Sequence, residues 1–281
     1  MRNAAADEGY ALLAAVAAIA VFASLALAIL GQVQGAVVQA SAEIERAHAD
    51  TAAEAGGQLA IQNLIGTDRT ARWPLDGRPR RLVFAGSDLT IRLVDQRGKV
   101  PLLALEDAQV RHLFELLKVP DSRLDEVTDS YLDWTDQDDD VRPNGAESGY
   151  YARRHIHPAN GPPQSFEELA LVRGFDSGLV ERLRAIATLH FGTGGFDRRH
   201  ANTIAIAVLT DGSENTAEAI DRAREEAGQS TAIDLTEPDL PGRTVEVTVE
   251  ATTRAKGRSR CRQLVELTGN SDRPYVILEV E

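Results

Sequence analysis

Residues 10–30, YALLAAVAAIAVFASLALAIL, carry no charge and only one clearly polar side chain, Ser24. About 20 apolar residues in a helix, rising ~1.5 Å each, cross ~30 Å of hydrocarbon. The apolar region of a secretory signal is shorter, roughly 7–15 residues. The stretch therefore predicts a membrane-spanning helix that stays with the protein, and everything after it must hang from that single anchor. Arg2 precedes the run and the next basic residue is Arg46. That distribution points to an inner amino terminus and an outer bulk.

The sequence after the span, GQVQGAVVQASAEIERAHADTAAEAGGQLAIQNLIG, contains no proline and is rich in Ala, Gln and Glu. It predicts one helix from about residue 11 to 64, loosened at Gly56 and Gly57, whose second half packs on a folded domain. Val33, Val37, Ile44, Ala47, Leu59 and Leu64 supply a discontinuous apolar stripe for that packing. From residue 81 the period changes. RLVFAG and LTIRLVDQRGKV alternate apolar and polar residues around Gly86, as a hairpin does, and RTVEVTVEATTRA, RSRCRQLVELTG and PYVILEVE form a second strand-rich block at the end. Between them LEDAQVRHLFELLKV, SFEELALVRGF, SGLVERLRAIATLHF and SENTAEAIDRAREEAG read as helices. The fold class is α+β: a long N-terminal helix and a split antiparallel sheet with a large inserted α-helical domain.

Charge and cysteine content narrow the function. The net charge of −13 repels a phosphate backbone, so no nucleic acid is expected as a partner. The single cysteine, Cys261, rules out an intrachain disulfide, and its place in a strand favours a packing role.

One segment concentrates charge. YLDWTDQDDDVRPNGAESGYY places six carboxylates between Asp133 and Glu147, and residues 121–150 hold ten acids against two arginines. Asp136, Asp138 and Asp140 alternate, and Glu147 follows eleven residues after the first, which is the oxygen spacing of a twelve-residue calcium loop. Val141 stands where an EF-hand needs glycine, and Pro143 restricts the path further, so the expectation is a calcium loop of another kind. Asp133, Asp136, Asp138, Asp140 and Glu147 are the candidate ligands. A solvated acidic loop is the alternative. Paired carboxylates for glycoside hydrolysis need environments that split their pKa values, and six crowded acids suit ligation better.

The order of features at the amino terminus, MRNAAADEG followed directly by the apolar run, resembles the leader of type IV pilin-like proteins, which a prepilin peptidase cuts after the glycine. Cleavage between Gly9 and Tyr10 would leave the apolar helix on the mature protein. The fifth mature position, commonly glutamate in such proteins, is Ala14 here. DWTDQDDDVRPNGAESGYYARR and PANGPPQSFEELALVRGFDSGLVERLR complete a resemblance to the K-type minor pseudopilin family of type II secretion, with Asp133, Trp134, Asp136, Asp138, Gly145, Ala146, Glu147, Tyr150 and Tyr151 at matching positions. The Asn-x-Asn elements frequent in that family are replaced by KVPLLAL and RRHANTIAIAVL.

The resemblance implies a leader at 1–9, a transmembrane helix at 10–30, its amphipathic continuation at 31–65, and the first part of a pilin-like sheet at 66–100. An inserted helical domain with the calcium loop at 101–195 precedes a helix and the second part of the sheet at 196–281. It further implies an assembly part with no catalytic role, held in the inner membrane by a single pass, with its amino terminus cytoplasmic and its C-terminal domain periplasmic. Implied partners are I-type and J-type minor pseudopilins, the pseudopilus and inner-membrane secretion components, the prepilin peptidase and the membrane. A subunit without the fifth-position glutamate fits the tip of the filament, because that group meets the amino terminus of a neighbouring subunit within an apolar core.

Three other motifs remain. Residues 166–185 have the apolar spacing and central Gly174 of a helix-hairpin-helix, which would suit a membrane-tethered DNA-binding protein, but Phe175 and Asp176 follow the glycine. His155 and His157 have no third ligand nearby in sequence, and GTGG at 192–195 lacks the Lys and Ser/Thr of a phosphate loop.

Overall fold

A computed structural model of the chain describes residues 4–158, 160–193, 195–198, 201–209 and 240–281. Helix α1 (Ala4–Ile65) is unbroken for 62 residues, which corresponds to ~90 Å of rod. An 18-residue window within it reaches a mean hydropathy of 2.3 with none of it buried, as a membrane anchor requires. Apolar exposure continues to Ile44, after which the helix meets the sheet.

The helix runs straight through Gly56 and Gly57, where the sequence pattern suggested loosening. These glycines serve close approach. A Cβ on Gly56 would stand 2.8 Å from Val249 Cγ1 and 3.1 Å from Leu89 Cδ1, and one on Gly57 would stand 3.0 Å from Gln263 Oε1. The packing face is therefore Ala49, Ala52, Ala53, Gly56, Gly57, Ala60, Ile61 and Leu64. Of the larger residues expected to form the stripe, Val33, Val37, Ile44 and Leu59 face outward and only Leu64 is buried.

The sheet is antiparallel, in the order β1 (Arg80–Phe84), β2 (Ser87–Asp95), β5 (Arg243–Thr253), β6 (Arg258–Leu267), β7 (Tyr275–Val280). Strands β1 (Arg80–Phe84) and β2 (Ser87–Asp95) form the expected hairpin, closed by Ala85 and Gly86 at φ 48° and 84°, the left-handed pair that a two-residue turn needs. After the two-residue strand β3 (Val100–Pro101) come the helices α2 (Asp107–Leu116), α3 (Asp121–Thr135), α4 (Ser148–Tyr151), α5 (Phe166–Leu169) and α6 (Ser177–Ile186). Strand β4 (Ala187–Thr188) pairs parallel with β3, and α7 (Thr203–Leu209) follows. Strands β5 (Arg243–Thr253), β6 (Arg258–Leu267) and β7 (Tyr275–Val280) then complete the sheet that β1 and β2 began. The helix expected at 213–228 lies outside the described residues.

Two cores result. Under α1 lie Leu89, Ile91 and Leu93 of β2 with Val245, Val247 and Val249 of β5, the alternate residues of strands buried on one face. Cys261 joins this layer, and burial pushes its thiol above the usual range. The second core gathers Phe114, Tyr131, Trp134, Tyr151, Leu169 and Leu183, and α7 adds Ala205 and Val208 to it. Between the cores the junction is ionic: Lys99 lies 2.9 Å from Glu246, Arg184 lies 2.7 Å from Glu281, and the fully buried Asp95 accepts from Arg97 and Arg243.

Candidate metal centre

Helix α3 places Leu124, Val127, Tyr131 and Trp134 on its core side, the 3.6-residue spacing of an amphipathic helix. Asp133, one residue from Trp134, is carried inward with it and is 0% exposed. The helix ends at Thr135, and Asp136 caps it, its N–H donating to Leu132 O at 3.0 Å. The chain then loops out and returns through Gly145 and Ala146 to Glu147, which precedes α4. Only glycine fits at 145: a Cβ there would stand 2.0 Å from Asp133 Oδ2. Trp134 and Tyr151 meet edge to face with centroids 5.0 Å apart, so aromatic packing fixes the two ends of the loop. Arg173 secures the return, donating to Gly145 O at 2.9 Å while its own N–H donates to Tyr151 Oη at 3.0 Å.

This path brings one oxygen from each of Asp133, Asp136 and Glu147 within 4.8 Å of the others. Among the described residues Arg142 supplies the counter-charge against them. Its Nη1 lies 2.9 Å from Asp133 Oδ1 and 2.5 Å from Asp136 Oδ2, and its backbone N–H donates to Asp133 Oδ2 at 3.2 Å. Glu147 receives no such help. It is 2% exposed, and among the described residues neither carboxylate oxygen has a hydrogen-bond partner; Asp136 Oδ1 is equally orphaned. Burial, followed by the charges of Asp133, Asp136, Asp139 and Asp138, pushes the Glu147 carboxyl up to about 7. A buried carboxylate without partners is costly, and oxygens so placed suit a hard divalent cation. Calcium takes oxygen ligands at ~2.3–2.6 Å, so two oxygens on one ion stand at most ~5 Å apart, and the 4.8 Å cluster meets that limit.

The other two expected ligands are placed differently. Asp138 and Asp140 are exposed, and Asp138 Oδ1 accepts the N–H of Asp140 at 2.9 Å. Asp139 Oδ1 accepts the Ser148 N–H at 3.2 Å, and Asn160 Nδ2 donates to Asp138 O at 2.6 Å. The inward position of Arg142 was not anticipated, although it is the sole basic residue between Asp133 and Glu147. The buried Asn160 Oδ1, also without a partner, had no local signal in the sequence.

The hairpin at 166–185 is closed to phosphate. Asp176 caps α6 by accepting the Leu179 N–H at 2.8 Å, and Arg123 donates both to Asp176 and to Gly174 O. A phosphate approaching that turn would meet a carboxylate, and Gly174 packs against Val127 of α3. His155 is exposed in a left-handed turn. Gly192 bridges to Arg243, with Gly242 O only 2.7 Å from where its Cβ would be, so Gly192 serves chain packing.

Comparison with known proteins adds two findings. Residues 91–190 match the family described as "Type II secretion system (T2SS), protein K". A chain in the crystal structure of the GspK–GspI–GspJ complex from the enterotoxigenic Escherichia coli type 2 secretion system matches with a TM-score of 0.54 at 18% identity, covering 89% of this chain and 98% of that one. At that identity the likeness is one of fold. No curated protein sequence matches.

Proposed function

From the premise that this chain belongs to the type II secretion system protein K family, we propose that it is the minor pseudopilin at the tip of a short pseudopilus, where it helps start assembly for the export of folded proteins. That family is a structural part of a secretion system. The placement rests on one observation. Ala14 occupies the position where neighbouring helices would carry a glutamate, and the large apolar side chains described on α1 from Leu13 to Ile44 are exposed. An apolar residue at that position suits the one place in a filament where no amino terminus arrives from above. The structural relative is complexed with GspI and GspJ, which supports I-type and J-type pseudopilins as partners here. Their contacts would fall on the exposed half of α1, set in the membrane with the amino terminus inward, after a prepilin peptidase has cut between Gly9 and Tyr10.

In the same reading, calcium binds between Asp133, Asp136 and Glu147 and ties the end of α3 to the start of α4, with Asp138 and Asp140 at the rim. The orphaned, buried oxygens of Glu147 and Asp136 support it. When bound, the ion supplies charge neutralisation and cross-linking, not chemistry on a substrate.

The test is coexpression of the full chain with a prepilin peptidase and I-type and J-type partners. Intact mass should show a mature chain beginning at Tyr10, the three proteins should copurify, and a tag on this chain should label one end of each filament. Label spaced along the shaft would overturn the tip position, and an uncut chain would remove the pilin-type processing.

A further inference from the structure

Six carboxylate oxygens belong to Asp133, Asp136 and Glu147, and they divide evenly. Among the described residues Asp136 Oδ1 and both Glu147 oxygens have no partner, whereas the Arg142 guanidinium holds Asp133 Oδ1 and Asp136 Oδ2 and its backbone N–H holds Asp133 Oδ2. A cation drawing on all three residues must therefore share the carboxylates of Asp133 and Asp136 with a guanidinium that already bonds one oxygen of each. The geometry points to Arg142 as a built-in competitor of the cation, so that ion binding is an exchange between two positive groups at Asp133 and Asp136; this rests on the calcium reading above.

The exchange has somewhere to send the displaced group. Arg142 Nη2 lies 3.7 Å from Asp107 Oδ2, and the Asp107 side chain is 73% exposed at the start of α2. The Arg142 side chain is itself 29% exposed, so it can turn to the rim without crossing the core. The Arg142 backbone N–H stays on Asp133 in either arrangement, which keeps the loop path while the side chain moves. Without an ion, Arg142 holds Asp133 and Asp136 together against their mutual repulsion. With one, it stands on Asp107, clear of a like charge that would otherwise share its carboxylates. The acidic loop is thus kept folded in both states, and its ion affinity is set below what the carboxylates alone would give.

The full chain in detergent micelles, washed with chelator, is titrated with calcium chloride by calorimetry and melted with and without calcium. Arg142→Gln should bind calcium ~10- to 100-fold more tightly than the unaltered chain, the equivalent of removing a pair of charge-assisted hydrogen bonds from the competing state, and should melt at a lower temperature in chelator. Asp107→Asn, an exposed change that leaves the core intact, should weaken binding by a few-fold because the displaced guanidinium loses its acceptor. Equal or weaker calcium binding by Arg142→Gln overturns the competition, even where the unaltered chain binds well. Unchanged affinity in Asp107→Asn overturns the exit route. Absence of calcium binding in both the unaltered chain and Arg142→Gln overturns the calcium reading itself and the competition with it, whereas binding by Arg142→Gln alone is competition at its limit.

Discussion

Replacing Gly145 by alanine tests the packing of the acidic centre most directly. The new Cβ would lie 2.0 Å from Asp133 Oδ2 and 2.7 Å from its Cγ, where even a close C–H···O contact keeps ~3.3 Å. Asp133 cannot retreat into solvent, because it is fully buried and bonded to both the backbone and the guanidinium of Arg142. Either the loop shifts by ~1 Å, an overpacking cost of about 1–3 kcal/mol, or Asp133 turns away and forfeits charged hydrogen bonds worth about 1.5–3 kcal/mol. Both routes lead to about 1–3 kcal/mol. For a unit of ~100 residues that is a fall in melting temperature of ~5–20 °C. Gly149, four residues on, has nothing within 4 Å of an added Cβ, so Gly149→Ala is the matched control and should melt within a few degrees of the unaltered chain. Thermal unfolding followed by near-ultraviolet dichroism reads the loss through Trp134 and Tyr151. In an Asp133→Ala background the clash is gone, and Gly145→Ala should then cost little, a non-additivity of about 2 kcal/mol. If Gly145→Ala melts with Gly149→Ala, the tight closure of loop on helix is refuted.

Calcium should raise the melting temperature of the chelator-washed chain by the equivalent of ~2.7 kcal/mol at a hundredfold excess over its dissociation constant, and Glu147→Gln should abolish most of the gain; a flat response in the unaltered chain returns the acidic run to a solvated loop. Gly56→Val should cost about 1–3 kcal/mol in urea unfolding by driving a branched side chain against Val249 and Leu89, whereas Gly35→Val, with open space around it, should differ little. Burial raises the Glu246 carboxyl, but Lys99 and Arg262 outweigh it and hold it below its ordinary value of 4.5. Its contribution to stability is thus fully present above pH ~4.5 and is lost as pH falls through the depressed value. Denaturant titrations from pH 6 downward should show a shallower acid loss in Glu246→Gln, and parallel curves would refute the role of this ion pair.

The parts of the fold that were legible in the sequence are those whose signal is local. A 21-residue uncharged run can only be a long apolar helix, and the alternation either side of Gly86 fixes a hairpin because the turn and the strand period agree. The face by which α1 meets the sheet was not legible, since larger apolar residues attract attention and close packing here needs their absence. Ala52, Ala53, Gly56 and Gly57 let the helix come near enough for Val249 and Leu89 to fill the space a side chain would occupy. The stripe of Val33, Val37 and Ile44 lies on the part of the rod that projects beyond the sheet. In the acidic segment, spacing draws attention to the alternating Asp136, Asp138 and Asp140, but alternation specifies facing only in a regular strand. Here α3 buries Asp133 through its neighbour Trp134, and the turn at Asp138 spends a carboxylate on the N–H of Asp140. Arg142 lies inside because Gly145 lets the returning chain close over Asp133, a contact that no local pattern announces.

The inserted unit explains why its charge is concentrated where it is. Helices α4 and α5 have four residues each, far too few for stability on their own, so tertiary contacts must hold them. The chain has one cysteine, and a disulfide cannot staple the unit. From Asp133 to Glu147 the loop that must be closed is about fifteen residues long, and a covalent link across such a loop is worth about 3 kcal/mol in chain entropy. Trp134 against Tyr151 supplies part of that closure from the apolar side. Arg142 supplies part from the polar side, but of the three clustered acids it reaches Asp133 and Asp136 and leaves Glu147, the far end of the loop, without a partner among the described residues. Completing the closure therefore takes a charge that an arginine on the loop itself cannot deliver. A divalent cation between Asp133 and Glu147 would join the two ends directly, which is why the pattern of satisfied and orphaned oxygens, more than the number of acids, argues for an ion.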